Sequence, residues 1–481
     1  MFISYNTNSY TMLSCLLLMN VLLNCFSSPL KLHNISSTHL CHTYESLALL
    51  QLTIDDYDES PYPVSPKTKS WRNDTDCCKW EGIKCDNDTH HVIAVNLRSS
   101  GIKGSIHSNS SIFLLHRLQY LSLSQNDMSV SAISPKFGEF RFLKHLDLSA
   151  SSFRPCSFGL NFSSVQFSSI QFSSVQFSSS LHKLTLISVQ FSSVQLHSVQ
   201  FSSALISPKE QGLSGKVPSE IAQLTQLRYL DLSQNANLNM PNFAGIIVNL
   251  TELRHVDISF VNVNDRIPKS LVNLSSLTFL GLSECQLQGE LPVDILTLTH
   301  LKFLDISDNY VYSNVKLFHN WNNSLEYLDL SFVNFSSSLP PFLQGRQPHQ
   351  LSVLRLEQCN MHGLIPTWVW NTSQQIDLGS NYLTSPSADF LSKITTLTLV
   401  QLALDDNNLH GNISLYDDIL SKLPNLQGLM LSNSGLSVTL TNGPILTPHR
   451  LGLIRCRVFS YRTPISMAMS QVGCYMLGRT R

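Results

Sequence analysis

From Val92 to about Leu436 the chain alternates apolar and polar positions in one frame that returns every 22 to 27 residues. The clearest copy is LTQLRYLDLSQN, with Leu224, Leu227, Leu230, Leu232 and Asn235 spaced L-x-x-L-x-x-L-x-L-x-x-N. The second leucine of the L-x-L pair returns at Leu232, Ile258, Leu282, Ile306, Leu330, Leu356, Leu378 and Leu404, at intervals of 26, 24, 24, 24, 26, 22 and 26 residues. The x-L-x-L-x alternation predicts a short strand with one buried face. Paired strands stand about 4.8 Å apart, so one unit cannot bury its own leucines and must stack on its neighbours. The Asn is placed to hydrogen-bond backbone groups where the chain leaves the strand. Cys285 and Cys359 occupy that position in two units and are expected as buried thiols.

A second element follows the strand: GLSGKVP from Gly212, LQGELP from Leu287 and MHGLIP from Met361, with weaker copies GIKGSI from Gly101, VNDRIP from Val263 and LHGNIS from Leu409. Glycine permits a tight turn, and proline fixes extended backbone that cannot continue a helix. The strand pattern is that of the leucine-rich repeat. The L-x-G-x-I-P element resembles the plant-specific class, in which it adds a second sheet and twists the solenoid. The expected fold is a curved right-handed superhelix with a parallel β-sheet on its concave face.

Upstream, Met12 to Leu23 (MLSCLLLMNVLL) is an apolar run of signal-peptide length, short for a bilayer span, with cleavage expected near Ser27 or Ser28. A membrane anchor is the competing reading. Eleven N-x-S/T sequons, at Asn34, Asn73, Asn87, Asn109, Asn161, Asn249, Asn273, Asn322, Asn334, Asn371 and Asn412, join that signal in pointing to a glycosylated secretory protein.

Cys41, Cys77, Cys78 and Cys85 cluster ahead of the first repeat, where a solenoid needs a cap over its open core. Four cysteines allow three connectivities. His39, His42, His90 and His91 lie nearby, without the ligand spacing of a structural zinc site. The segment is similar to the plant leucine-rich repeat N-terminal cap, whose ESxALLxFK helix and SW…DCCxWxGVxC signature match Glu45 to Leu50 and Ser70 to Cys85. That resemblance implies the pairs Cys41–Cys77 and Cys78–Cys85. Cap and repeats together resemble the ectodomains of plant receptor-like proteins and receptor kinases, particularly the receptor-like proteins of disease resistance. What this implies is a cell-surface module that binds a peptide or a pathogen-derived protein in defence or developmental signalling, with a co-receptor kinase as a candidate partner. Such relatives sit in the plasma membrane as single-pass type I proteins.

Strand alternation defines the candidate binding surface. One concave column reads Tyr120, His145, Tyr229, His255, Phe279, Phe303, Tyr327 and Val353; the next reads Ser122, Asp147, Asp231, Asp257, Gly281, Asp305, Asp329, Arg355 and Asp377. Exposed aromatics beside polar groups suit recognition, which nominates Tyr229, His255, Phe279, Glu284, Phe303, Tyr327, Arg355 and Glu357. The same residue types are common fillers of this repeat, stacked on one another for ladder packing. Departures from that filling, at Phe279 with Gly281 and Glu284 and at Val353 with Arg355 and Glu357, are therefore the sharper candidates.

Two segments break the frame. From Phe162 to Phe201 the chain stutters through FSSVQ-like copies, and the interval from Leu148 to Leu232 is 84 residues, room for three and a half units. This reads as a tandem expansion over degenerate repeats, with an aromatic binding loop as the alternative. After RLGLIRC, which ends at Cys456, no repeat, C-terminal cap or apolar run of membrane length is visible. A shortened or frame-disrupted product is the expectation there, with Cys456 and Cys474 as an improvised closing pair. The organisation expected is a signal peptide over 1–28, a cap over 41–88, repeats over 92–157, the low-complexity insertion over 158–203, repeats over 212–456 and a non-repeat tail over 457–481.

Charge and motifs narrow the function further. With 32 Lys and Arg against 33 Asp and Glu, no bulk attraction to nucleic acid is expected. No metalloprotease, phosphate-loop, dinucleotide or kinase signature is present, so no catalytic residue, cofactor or metal is expected. Two further readings stand beside the receptor: a secreted inhibitor of a microbial cell-wall-degrading enzyme, and a degenerate, inactive fragment.

Overall fold

The computed structural model describes residues 41–52, 55–56, 66–128, 131–150, 212–313, 324–335, 350–365 and 369–385, most of 387–439, and the strands 453–456 and 474–475. The signal-peptide segment, the FSSVQ stutter, Asn34, Asn161 and Asn322 lie outside these residues, as does most of the tail. Among the described residues the chain is a parallel-sheet solenoid whose main sheet has 15 strands. Its parallel strands run in register, one per repeat, so that Val256 stands beside Leu230 on one side and Leu280 on the other. The inward leucines of these strands are fully buried and form one continuous core from the cap to Leu436. That is the stacking the repeat period demands, since each unit completes its neighbour.

The L-x-G-x-I-P elements form the second sheet, as short parallel pairs: Ser214–Lys216 with Asn237–Asn239, Gln288–Glu290 with Tyr310–Tyr312, His362–Leu364 with Tyr382–Thr384, and Asn412–Ser414 with Ser437–Thr439. Their glycines sit at positive φ, +82° at Gly215 and +87° at Gly289, where a side chain would be strained.

The cap closes the N-terminal end of the core. A helix over Thr43–Leu50 packs Ala48 and Leu49 inward, and the disulfides Cys41–Cys77 and Cys78–Cys85 form as the family resemblance implied. Ile83–Cys85 pairs antiparallel with Val92–Asn96, so the cap itself supplies the first strand of the main sheet. Glu45 is wholly buried, yet its carboxylate accepts from the Val92 amide at 2.9 Å and contacts His91 Nδ1 at 3.2 Å, which ties the cap helix to the first repeat. The sheet ends as it begins: Leu453–Cys456 continues the parallel ladder, and Cys474–Tyr475 pairs antiparallel with it, Cys456 opposite Cys474.

The largest departure from the sequence spacing is in the middle. His145–Asp147 pairs directly with Tyr229–Asp231, in register and with no strand between them. The sheet takes one step there, where the spacing leaves room for three and a half. Asn235 Nδ2 donates to Leu148 O at 3.0 Å and its Oδ1 accepts from Leu213 N at 2.7 Å. Asn309 does the same to Leu282 O and Leu287 N in an uninterrupted unit, at 2.8 and 2.9 Å. Leu213 therefore occupies the position of Leu287, and Ala150 that of Glu284. Residues 151–211 stand where a regular unit has a single residue, the Asn or Cys. Replacing 151–211 by one Asn recreates LDLSANGLSGKVP, and we expect the shortened protein to keep the far-ultraviolet spectrum and to melt within about 5 °C of the parent. A collapse of the cooperative transition would show that the segment supports the solenoid.

Candidate functional site

The concave face is organised by the register. Side chains two residues apart on a strand share a face, and in-register pairing places like positions one strand spacing apart. The aromatic column consequently forms an unbroken stack: Tyr120 on His145, His145 on Tyr229, Tyr229 on His255, His255 on Phe279, Phe279 on Phe303 and Phe303 on Tyr327, with ring centroids 3.9 to 4.2 Å apart. The stack crosses the 151–211 insertion without interruption. It ends at Val353, where Arg355 reaches back with its guanidinium 5.8 Å from the Tyr327 ring centre, Nη1 donating to the Tyr327 hydroxyl at 3.3 Å and Nη2 to Gln375 Oε1 at 3.3 Å. Its second role is charge pairing, with Nη1 3.7 Å from Asp329 Oδ2.

All eight nominated residues lie on this surface and all are half-buried. Tyr229, His255, Phe279, Phe303 and Tyr327 are brought together in the stack, and Arg355 caps it. Glu284 and Glu357 are not joined to each other; each sits where the chain leaves its strand, on strands three steps apart, and Glu284 holds a φ of +52°.

The second column is less open than alternation alone suggests. Ser122, Asp147, Gly281 and Asp329 are buried, and the other carboxylates are half-buried beneath the rings. Burial, then the neighbouring carboxylate on the next strand, pushes Asp231 and Asp305 up to about 7. Burial raises Asp257 and Asp329 as well and lifts Asp377 to about 6. Glu357 is driven up to about 7 by burial and then by Asp377. Burial also holds His145 and His255 down at about 4, so both are neutral in the stack at pH 7. The face thus combines a rigid aromatic floor, one fixed cation and a line of carboxylates that exchange protons near neutrality.

Comparison with known proteins gives this surface its setting. Residues 43–86 match the leucine rich repeat N-terminal domain and residues 324–345 match a leucine rich repeat. Receptor-like protein 9DC1 of Solanum pimpinellifolium is 32% identical over 266 residues, 49% of this chain and 30% of that protein. Receptor-like protein Cf-9 of the same plant is 33% identical over 298 residues, 54% of this chain and 33% of its own length. The chain is homologous to the plant leucine-rich repeat receptor-like proteins. It spans about a third of the length of these relatives. Among solved structures, the ectodomain of the Arabidopsis receptor kinase HAESA, in complex with an extended IDA peptide hormone, superposes with a TM-score of 0.57 at 21% identity, over 82% of this chain and 53% of that one. At that identity the likeness is one of fold.

What the receptor-like pattern did not reveal along the sequence is which columns converge. His255, Asp257 and Asp231 meet across two strands although 24 residues separate the outer pair from each other. The alternation places each of them on the concave face, and only the register places them together.

Proposed function

We propose that this chain is a non-enzymatic extracellular recognition module that binds a peptide or protein ligand on its concave face and acts with a separate co-receptor kinase. The observation that carries the reading is the continuous ring stack capped by Arg355, a preorganised surface of the residue types that dominate recognition energetics. Sequon placement supports it. None of the eleven sequons falls on a concave strand, and the described side chains at Asn73, Asn87, Asn109, Asn249, Asn273, Asn334 and Asn412 are all exposed. A secreted, glycosylated chain would carry its glycans away from this face. The apolar run at Met12 to Leu23 would route it to the cell surface.

The test is co-immunoprecipitation of the tagged chain from plant tissue, with paired variants. Phe279→Ala or Arg355→Ala should weaken capture of the specific partner by about 2 kcal/mol or more, roughly 30-fold. Val248→Glu, at an exposed site beyond the short helix Phe243–Ile247, should leave it unchanged. Equal loss in all three variants, or no specific partner, would count against a concave recognition site.

A further inference from the structure

On the concave face one ring nitrogen of His255, one carboxylate oxygen of Asp231 and one of Asp257 lie within 4.8 Å of one another. Three observations single out this place on the ladder. Nε2 of His255 is buried and has no hydrogen-bond partner, although the ring is clamped between Tyr229 and Phe279 at 4.0 and 4.1 Å. A buried imidazole nitrogen without a partner is costly, and native structures leave few of them. The two carboxylates stand on adjacent strands and repel each other. Asp231 spends Oδ1 on the Ser233 amide and hydroxyl, and its Oδ2 takes only a long contact of 3.3 Å from the Tyr229 hydroxyl. Beyond Asp257 the column continues with Gly281, so no side chain there competes for its carboxylate, which leans into the space a Cβ would fill, 2.6 Å from Oδ1.

We propose that Asp231, His255 and Asp257 form a binding site for a divalent first-row transition cation of the Zn²⁺ class. One nitrogen and two carboxylate oxygens from three side chains are a donor set that suits zinc and its neighbours and not calcium or magnesium, which take oxygen ligands. The donors of a tetrahedral zinc stand about 3.4 Å apart, so small side-chain rotations of the two aspartates close the set. The fourth position opens onto the concave groove. The ladder contains its own control. His145 holds the same place one strand earlier, but the residue preceding it in the carboxylate column is Ser122, which donates to Asp147 Oδ2 at 2.9 Å. Ser124 donates to the same oxygen at 2.7 Å, so Asp147 is already satisfied and the second carboxylate is absent.

The test is calorimetric titration of Zn²⁺ alone into the full chain, cap disulfides intact, in chelator-stripped buffer, with Ca²⁺ in parallel. One Zn²⁺ site is expected, with no comparable Ca²⁺ binding. His255→Tyr keeps a ring in the stack, as Tyr229 and Tyr327 do, and removes the nitrogen. It should weaken that site at least about 100-fold, the upper end of what even outer-shell changes cost. Asp231→Asn should do the same, which guards against a folding defect in either variant alone. His145→Tyr should leave the affinity unchanged. A Zn²⁺ site that survives His255→Tyr would belong elsewhere, for example to His42 and His91, which stack 4.0 Å apart in the cap, and would overturn the proposal. So would equal Ca²⁺ affinity, or no Zn²⁺ binding by the parent.

Discussion

Asn309→Ala is expected to destabilise the solenoid by about 4 kcal/mol, because one side chain there serves four buried backbone groups that have no other partner of comparable quality. Nδ2 donates to Leu282 O at 2.8 Å and Ile306 O at 2.9 Å, and Oδ1 accepts from Cys285 N at 3.1 Å and Leu287 N at 2.9 Å. Removing the amide strands them away from water, at roughly 1 kcal/mol or more for each. Asn309→Cys should fall between the parent and Ala. Cys285 and Cys359 show how a thiol fills this position: Sγ of Cys285 donates to Ile258 O at 3.0 Å, and Sγ of Cys359 to Leu330 O at 3.1 Å. A thiol does not replace Oδ1 as the acceptor. In these units the backbone carbonyl takes over, with Cys285 O accepting from Val263 N at 3.0 Å and Cys359 O from Phe335 N at 3.1 Å. Turning that carbonyl flips the next peptide, and Gln286 and Asn360 accordingly carry φ of +57° and +56°. A Cys at 309 lacks that turned backbone, so it recovers the donor half of the network alone. Urea unfolding of the three proteins checks the order. Indistinguishable Cys and Ala variants would show that the donor bonds contribute little.

That case also marks what the sequence could tell. The equivalence of Asn and Cys was legible at Cys285 and Cys359 because both are small, buried donors in one frame. The peptide flip that makes the exchange work was not, since it depends on φ at the following residue and no residue type signals it. The concave columns and the cap disulfides were legible in the same way, from period and from a motif resemblance. Two things were hidden for one physical reason. The contact of His145 with Tyr229, and the meeting of Asp231 with His255 and Asp257, are set by strand pairing across tens of residues. Local alternation fixes the face a side chain occupies and carries no information about how much chain is looped out between neighbours. The buried state of the Asp column was missed for a related reason: alternation points these side chains to the concave side, and the ring stack beside them then covers them.

The carboxylates under the rings make stability depend on pH in a direction opposite to that of an ordinary salt-bridged protein. Asp305 and Glu357 are held at about 7 and Asp377 at about 6, against roughly 4 for the same groups in the unfolded chain. A raised carboxylate binds more protons folded than unfolded, so the folded state gains as pH falls through 7 toward 4 and loses as pH rises through the same window. His145 runs the other way. Held at about 4 when folded and near 6.5 when unfolded, it costs stability as pH falls through that interval. Between pH 8 and 6 the carboxylates dominate, since His145 contributes only near the lower end. After that offset, and allowing for the coupling of Asp305 to Asp329 and the charge of Arg355 beside Asp329 and Asp377, we expect the protein to be about 2 kcal/mol more stable at pH 6 than at pH 8. Urea midpoints measured in a chelator at the two pH values test this. Asp305→Asn combined with Glu357→Gln should raise the pH 8 midpoint and flatten the difference, because the amides remove the penalty of burying charge and keep the hydrogen-bonding shape. His145→Tyr should steepen the gain below pH 6.5. A parent protein equally stable at both pH values, or more stable at pH 8, would mean that water reaches these carboxylates freely and that the stack does not shield them.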